Sequence, residues 1–121
     1  MWKVLFADEF GPDYDALDPE VQDELIAQLR IVEQFGPAAK RPRVDTLKGS
    51  KRANMKELRF SAAGGEWRVA FAFDPVRRAV VLVAGDKSGE GSEQRFYKAL
   101  IKVADRRFDA HLLRLKAKRR S

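Results

Sequence analysis

The sequence contains no cysteine and only one histidine, and no apolar run in it approaches the ~20 residues of a membrane-spanning helix. The missing cysteine excludes a disulfide framework and any thiol chemistry. The N-terminal stretch MWKVLFADEF is too short and too acidic for a secretory signal peptide. We therefore expect a cytoplasmic protein that has no membrane partner.

Apolar residues make up 45% of the 121-residue chain, and charged residues make up 35%. This composition supports a real hydrophobic core and differs from that of disordered chains, which are poor in apolar residues. The length fits one domain of ordinary size. We expect that domain to span residues 1–121, with a solvated basic tail at about residues 114–121.

Acidic and basic residues are separated along the chain. Residues 8–29 contain eight acids and no lysine or arginine, so they carry −8, and the remainder must carry +14 to give the total of +6. Residues 40–59 contain eight bases against two acids, a net +6. A basic surface attracts phosphate polymers, and such binding weakens as salt is added. The alternative is a solvated surface that binds no nucleic acid.

The pattern of helix and strand signals predicts an α+β domain. Asp18 can cap a helix whose first residue is Pro19, and Gly36-Pro37 stops that helix. Apolar residues at helical spacing predict a second long helix over residues 93–116. Four β-type runs accompany them, at residues 2–6, 54–60, 66–73 and 79–85. The order β-α-β-β-β-α predicts a small antiparallel sheet of about four strands, with helices packed mainly on one face.

Two arginines occupy the hairpin predicted from residues 54–60 and 66–73. If Phe60 lies opposite Trp67, one face of the hairpin is apolar and becomes a wall of the core. In that register Arg59 lies directly opposite Arg68 on the other face, beside two small alanines. Two guanidinium groups above such an open floor would clamp a phosphate, because each offers a planar fork of donors. The alternative is that both arginines pair with Glu57 or with acids from another segment.

Four segments follow one another in a characteristic order: TLKGSKRANMKELRF, EWRVAFAFDP, VVLVAGDKSG and FYKALIKVADRRFDAHL. Together they resemble the RelE/HigB toxins of bacterial type II toxin–antitoxin systems, with the phage-derived HigB-like branch nearest. The resemblance implies a RelE-like fold and an endoribonuclease that cuts mRNA, usually on the ribosome, without a metal or other cofactor. It also implies a cognate antitoxin, which we expect to be a helix-turn-helix protein.

The resemblance assigns roles to individual residues. The positions that match catalytic ones are Arg59, Arg68, Lys87 and Tyr97. The two arginines would stabilise the phosphorane that forms when a ribose 2′-OH attacks the next phosphate. Lys87 or Lys48 would act as base or electrostatic helper, and Tyr97 would stack on a base or move a proton. The expected RNA-binding residues are Lys48, Lys51, Arg52 and Lys56.

The sequence departs from this family just after the last strand. Many relatives have two adjacent lysines there, or a terminal histidine pair, whereas this chain has only Asp86-Lys87-Ser88 and offers no evident general acid. The sole histidine, His111, lies 14 residues after Tyr97. That separation is ~21 Å along a helix, so we expect His111 to be structural.

Two other functions fit the same residues. The poor supply of acid and base groups is compatible with a ParE-like toxin, a non-nuclease branch of the same fold that inhibits DNA gyrase. The basic tail would suit a plain nucleic-acid-binding module, which binds in a salt-dependent manner and cleaves nothing.

Overall fold

The computed structural model describes residues 1–89 and 91–120 of the chain. The chain begins with strand β1 (Lys3–Phe6), helix α1 (Phe10–Asp15) and helix α2 (Pro19–Phe35), followed by a 3-10 turn (Gly36–Ala38). Four strands come next: β2 (Val44–Thr46), β3 (Met55–Ala62), β4 (Gly65–Phe73) and β5 (Arg78–Asp86). The chain then enters the long helix α3 (Glu93–Arg120). None of the helices in the described ranges is both long and apolar enough to cross a membrane.

The strands form one five-stranded sheet in the order β1-β5-β4-β3-β2. All neighbours are antiparallel except β1, which runs parallel to β5 at one edge. The predicted α+β class is confirmed, and the predicted elements occur in the predicted order, with the short helix α1 and the strand β2 in addition. The sheet is antiparallel as predicted except at β1. The sheet has one strand more than predicted because β2 is only three residues long and lies inside the basic loop, where its β signal is weak.

The predicted hairpin register is confirmed. Phe60 pairs with Trp67, Leu58 pairs with Val69, and Arg59 pairs with Arg68. The same register continues for eight residue pairs, from Met55 to Ala62 on β3. Since side chains alternate between the two faces of a strand, this register separates an apolar face from a face that carries both arginines.

Helices cover both faces of the sheet, so the prediction of packing mainly on one face was wrong. On the first face, α1 and α2 bury a core built from Phe10, Val21, Leu25, Leu29, Val32, Leu58, Phe60, Val69 and Phe71. On the second face, α3 packs on a separate core built from Met55, Ala70, Ala72, Val80, Leu82, Ala104 and Phe108. The alanines on β4 leave room for a helix to approach, and both faces of β5 are apolar, as in a strand covered on each side.

A bulge in β5 keeps its last residues in register with β4. Ala70 pairs with Val83 and Phe71 pairs with Val81, so Leu82 is an extra residue on β5. Leu82 and Val83 both pack into the core under α3, whereas Val81 belongs to the core under α2. The insertion therefore shifts the alternation of faces by one residue in the second half of the strand.

Helix α2 begins and ends where the sequence predicts. The Asp18 carboxylate accepts a hydrogen bond from the Glu20 backbone N–H at 2.8 Å, and Pro19 takes the first helical position. The helix ends at Gly36, which has φ of 54° and lies against the ring of Trp2. That combination of a left-handed backbone and a covering ring requires glycine.

Helix α3 is longer than predicted. It continues to Arg120, so residues 114–120 of the expected tail have helical backbone; residues 116–119 are exposed, and Ser121 lies outside the described residues. Arg114 explains part of this extension, because its guanidinium bonds both oxygens of Glu9 and lies 3.2 Å from Asp8. About two helical turns earlier, Arg107 forms an ion pair with Asp13. The acidic N-terminal segment thus fixes one flank of the basic helix.

A buried polar cluster joins the β4–β5 turn to α3. Asp74 is buried and accepts hydrogen bonds from the backbone N–H groups of Val76 and Arg78. It also accepts from the Arg78 guanidinium and lies 2.9 Å from Nε2 of His111. His111 is 6% exposed and stacks on Phe108. The expectation that His111 is structural is confirmed.

Acid should destabilise the protein through Asp74. Burial raises the pKa of this carboxyl, but hydrogen bonds from His111 and from the backbone and side chain of Arg78 outweigh burial and leave the pKa below its ordinary value. A depressed folded-state pKa gives stability that is present above the unfolded pKa of about 3.9 and is lost as pH falls through the folded value. Urea unfolding as a function of pH should show a decline below about pH 4. The free energy of unfolding of Asp74→Asn should fall less steeply with pH than that of the wild type. An equally steep fall would contradict the role of the Asp74 carboxyl in the acid sensitivity.

Candidate functional site

Arg59 and Arg68 lie side by side on the face of the sheet that α3 covers. Arg59 is about one-third exposed, and its Nε donates to Oε1 of Glu57 at 2.5 Å. Its terminal nitrogen lies 3.6 Å from Oδ2 of Asp45 on β2. The hydrogen bond to Glu57 raises the pKa of Arg59, with burial acting in the opposite direction. This guanidinium is therefore held in a fixed orientation by carboxylates.

Arg68 has a different set of partners. Its Nε donates to the Tyr97 hydroxyl at 3.3 Å, and its Nη1 donates to the backbone carbonyl of Trp67 at 2.9 Å. Among the described residues it forms no ion pair with a carboxylate. The alternative of two internally paired arginines thus applies to Arg59 and not to Arg68. Glu93 acts on Arg68 only through space, so no carboxylate occupies its guanidinium directly and the group can attract an anion.

Glu57 connects the two arginines and was not among the predicted site residues. It is 3% exposed, and its Oε1 accepts from Arg59 and also from the Tyr97 hydroxyl at 3.3 Å. A continuous chain of hydrogen bonds therefore runs from Arg59 through Glu57 and Tyr97 to Arg68. The sequence carries one signal for this role: Glu57 alternates with Leu58 and so shares the α3 face with Arg59, where a carboxylate requires partners.

Lys87 adds a third cation. Its backbone N–H donates to the Glu66 carbonyl, which ties the residue to β4 just beyond the last residue of β5. Its Nζ lies 5.8 Å from the centroid of the Tyr97 ring and 2.6 Å from Oε1 of Glu93. Glu93 is mostly exposed, and an exposed ion pair of this kind is easily exchanged for another anion. All four residues predicted to be catalytic are thus brought together around the Tyr97 ring.

The four residues predicted to bind RNA occupy different places. Lys48 is exposed and lines an open groove of about 410 Å³ with Arg59, Tyr97 and the β2 residues Asp45 and Thr46. The other three lie outside this groove. Lys51 and Arg52 both pair with Asp109 on α3, and the ammonium of Lys56 lies 3.3 Å from the Thr46 hydroxyl. Lys56 is adjacent to Glu57 on β3, so its side chain lies on the face of the sheet opposite to the one that carries the two arginines.

The site contains no group of three acidic, histidine or cysteine side chains placed to hold a metal ion, nor does the rest of the described chain. The groups available for proton transfer are a carboxylate, a phenol and an amine, at Glu57, Tyr97 and Lys87. His111 is not among them, because it is buried against Asp74.

Gly85 determines how closely α3 approaches the site. It pairs with Arg68, and a Cβ added at Gly85 would lie 2.9 Å from Cε1 of Phe96, next to Tyr97. We expect Gly85→Ala to lower the free energy of unfolding by about 1–3 kcal/mol, the usual cost of overpacking. Denaturant unfolding should show the loss. A Cβ at Gly89 would meet nothing within 4 Å, so Gly89→Ala is the control, and equal stabilities for the two variants would contradict this role.

Known proteins are similar to this chain in sequence and in fold. Residues 12–109 match the family described as Phage derived protein Gp49-like (DUF891). The chain is 43% identical over 99 residues to the putative toxin HigB2 of Mycobacterium tuberculosis, covering 81% of this chain and 48% of that protein. It is 40% identical over 92 residues to the putative toxin HigB3 of the same organism, covering 76% of this chain and 77% of HigB3.

The chain thus spans about half the length of HigB2 and three-quarters of HigB3. Among solved structures, a variant of the E. coli toxin RelE in its free state superposes with a TM-score of 0.59 at 13% identity, covering 83% of this chain and 93% of RelE. The fold is therefore RelE-like, and the resemblance to RelE/HigB-type toxins is confirmed. This chain belongs to the family of phage-derived Gp49-like proteins (DUF891).

Proposed function

We propose that this protein is the toxin of a toxin–antitoxin module and that it cleaves mRNA on the ribosome without a metal ion. The observation that carries the proposal is the guanidinium of Arg68, which lies beside Arg59, bonds to Tyr97 and has no direct ion pair with a carboxylate of the described residues. A surface that holds two guanidinium groups next to a phenol and an amine suits a phosphodiester, whose transition state gains negative charge.

The reaction is attack by a ribose 2′-OH on the adjacent phosphate. The bond from the 2′-oxygen to phosphorus forms while the bond to the 5′-oxygen breaks, which leaves a 2′,3′-cyclic phosphate and a 5′-OH end. One proton must leave the 2′-OH and one must reach the departing 5′-oxygen. Between these steps the phosphorane carries extra negative charge, which Arg59 and Arg68 stabilise with oriented donors.

The hydrogen-bond chain supplies a route for the first proton. Tyr97, which lines the open groove, donates to Glu57 and accepts from Arg68, so its hydroxyl connects the groove to a buried carboxylate. A proton taken from the 2′-OH can pass through the Tyr97 hydroxyl to Glu57. Lys87, across the Tyr97 ring, is placed to protonate the leaving oxygen once RNA displaces Glu93. The ring itself can also stack on a base.

The proposal is tested with purified, EDTA-treated protein and ribosomes programmed with a defined message, in a buffer whose only divalent ion is the Mg²⁺ that keeps the ribosomes assembled. We expect cleavage of the message and recovery of fragments that begin with a 5′-OH. The protein without ribosomes should cut the same message more slowly. Intact message at stoichiometric toxin would contradict the proposal.

Inhibition of DNA gyrase is the second candidate, favoured by the burial of the sole histidine, which leaves the site without an imidazole. It predicts that supercoiling stops while translation in the same extract continues. Loss of translation with normal supercoiling would exclude it. A plain nucleic-acid-binding module would change neither process.

A partner antitoxin follows from the toxin assignment, and we propose that it is a helix-turn-helix protein. The sheet offers it two edges, at β1 and at β2, where a further strand can pair. Co-expression of the neighbouring small reading frame should restore growth of cells that express this chain. Continued growth arrest, with both proteins present in equal amounts, would show that the neighbour is not its antitoxin.

A further inference from the structure

We propose that the outward face of α3 binds the phosphate backbone of RNA. Four bases lie along this face and are all exposed, at Arg95, Lys98, Lys102 and Arg106. Their spacing of three, four and four residues places them on one side of the helix, because an α-helix turns once in 3.6 residues. We call these four residues the α3 basic stripe.

The stripe is not neutralised by other groups of the protein. In the described part of the chain none of its four side chains has an ion pair or a hydrogen bond. Most other bases of the helix and of the basic loop are engaged: Arg107 with Asp13, Arg114 with Glu9, and Lys51 and Arg52 with Asp109. The stripe therefore holds four cations that no group of the described chain neutralises directly.

The acids of α3 are paired with groups from other segments rather than with the stripe. Glu93 pairs with Lys87, Asp105 accepts from Ser50, and Asp109 pairs with Lys51 and Arg52. These three carboxylates bind the β5–α3 and β2–β3 loops along the helix flanks. An ordinary solvated helix mixes both signs on its exposed surface, and this stretch of α3 does not.

The length and position of the stripe suit a nucleic-acid strand. From residue 95 to residue 106 the helix rises ~16 Å, which corresponds to roughly five nucleotides at 3.4 Å each in a stacked strand. Lys98 directly follows Tyr97, so the stripe begins on the same turn of α3 that carries the site tyrosine. A strand held between Arg59 and Arg68 would find further cations as it leaves the site. The inference takes the identity of the polymer, RNA, from the proposed function.

The test measures binding without cleavage. The probe is a 20-nucleotide 2′-O-methyl RNA, which lacks the attacking hydroxyl, and its affinity is measured by fluorescence anisotropy at several salt concentrations. Removing three stripe charges in the variant K98Q/K102Q/R106Q should weaken binding by tenfold or more at low salt. It should also lower the slope of log affinity against log salt by about 2, at ~0.7 for each phosphate contact on a single strand.

The control removes the same charge elsewhere. Lys3, Arg30 and Arg77 are exposed residues on other elements, and K3Q/R30Q/R77Q should leave the slope unchanged. Equal slopes for the wild type and the stripe variant, with both folded by circular dichroism, would overturn the inference. Loss of poly-glutamate binding with an unchanged RNA slope would also overturn it, since the face would then serve an acidic protein. If RNA binding depends on the stripe but the protein does not cleave ribosome-bound message, the proposed function is refuted and the inference about the stripe stands.

Discussion

Replacing Arg68 with alanine is expected to lower the rate of message cleavage by about 10²–10³-fold, the usual loss when one oriented donor to a transition-state oxyanion is removed. Arg68 should have the larger effect of the two arginines because no carboxylate in the described structure forms a direct ion pair with it. Arg59 shares its charge with Glu57 and Asp45. Single-turnover cleavage on programmed ribosomes measures the difference.

Arg68→Lys separates charge from geometry. It keeps the positive charge and loses the planar fork, so most of the rate should still be lost. Arg30→Ala removes an exposed base from α2, far along the chain from the hairpin, and should cleave at the wild-type rate. Full activity of Arg68→Ala would remove the basis of the proposed mechanism. A variant that fails to fold would show itself in its unfolding curve.

Replacing Asp74 with alanine is expected to destabilise the protein by about 3 kcal/mol or more, because several donors lose one buried acceptor and each unsatisfied buried group costs about 1–3 kcal/mol. The change leaves His111 and Arg78 without their acceptor, and it leaves the backbone N–H of Val76 without a partner in the turn. Denaturant unfolding should show the loss as a lower midpoint with an unchanged slope.

Asp15→Ala is the matched control, because Asp15 is exposed on α1. It should change stability by no more than about 0.5 kcal/mol, as surface substitutions usually do. A second variant, His111→Ala, removes only one of the partners of Asp74 and should cost less than Asp74→Ala. Equal stability of Asp74→Ala and the wild type would show that the cluster contributes nothing to the fold.

The hairpin could be predicted from the sequence because its register is strongly determined. A slip by one residue would move Trp67 and Phe60 to the polar face, so the apolar pattern allows one solution. That solution places Arg59 opposite Arg68 without any knowledge of the helices. The α2 boundaries were predictable for a similar reason, since Asp18, Pro19 and Gly36 act locally.

The remaining features depend on contacts between distant segments. Lys51 and Arg52 belong to a basic loop, and nothing in that loop indicates that Asp109, more than fifty residues later, will pair with both. The role of Glu57 depends on Tyr97, forty residues away, in the same manner. Helix α3 packs on the face of β4 that carries Ala70 and Ala72. The sequence shows that these side chains are small, but it does not show which segment packs on them.

The extra residue in β5 has a consequence for how the length of this strand can vary. A deletion at Leu82 would leave Val83 opposite Ala70 and Gly85 opposite Arg68, so Lys87 would still reach Tyr97. A deletion a few positions later, at Ala84, would rotate Lys87 onto the side of the sheet that α2 occupies. The strand can therefore lose a residue at Leu82 and keep Lys87 beside Tyr97. A change of length closer to Lys87 would separate the Lys87 amine from the Tyr97 ring.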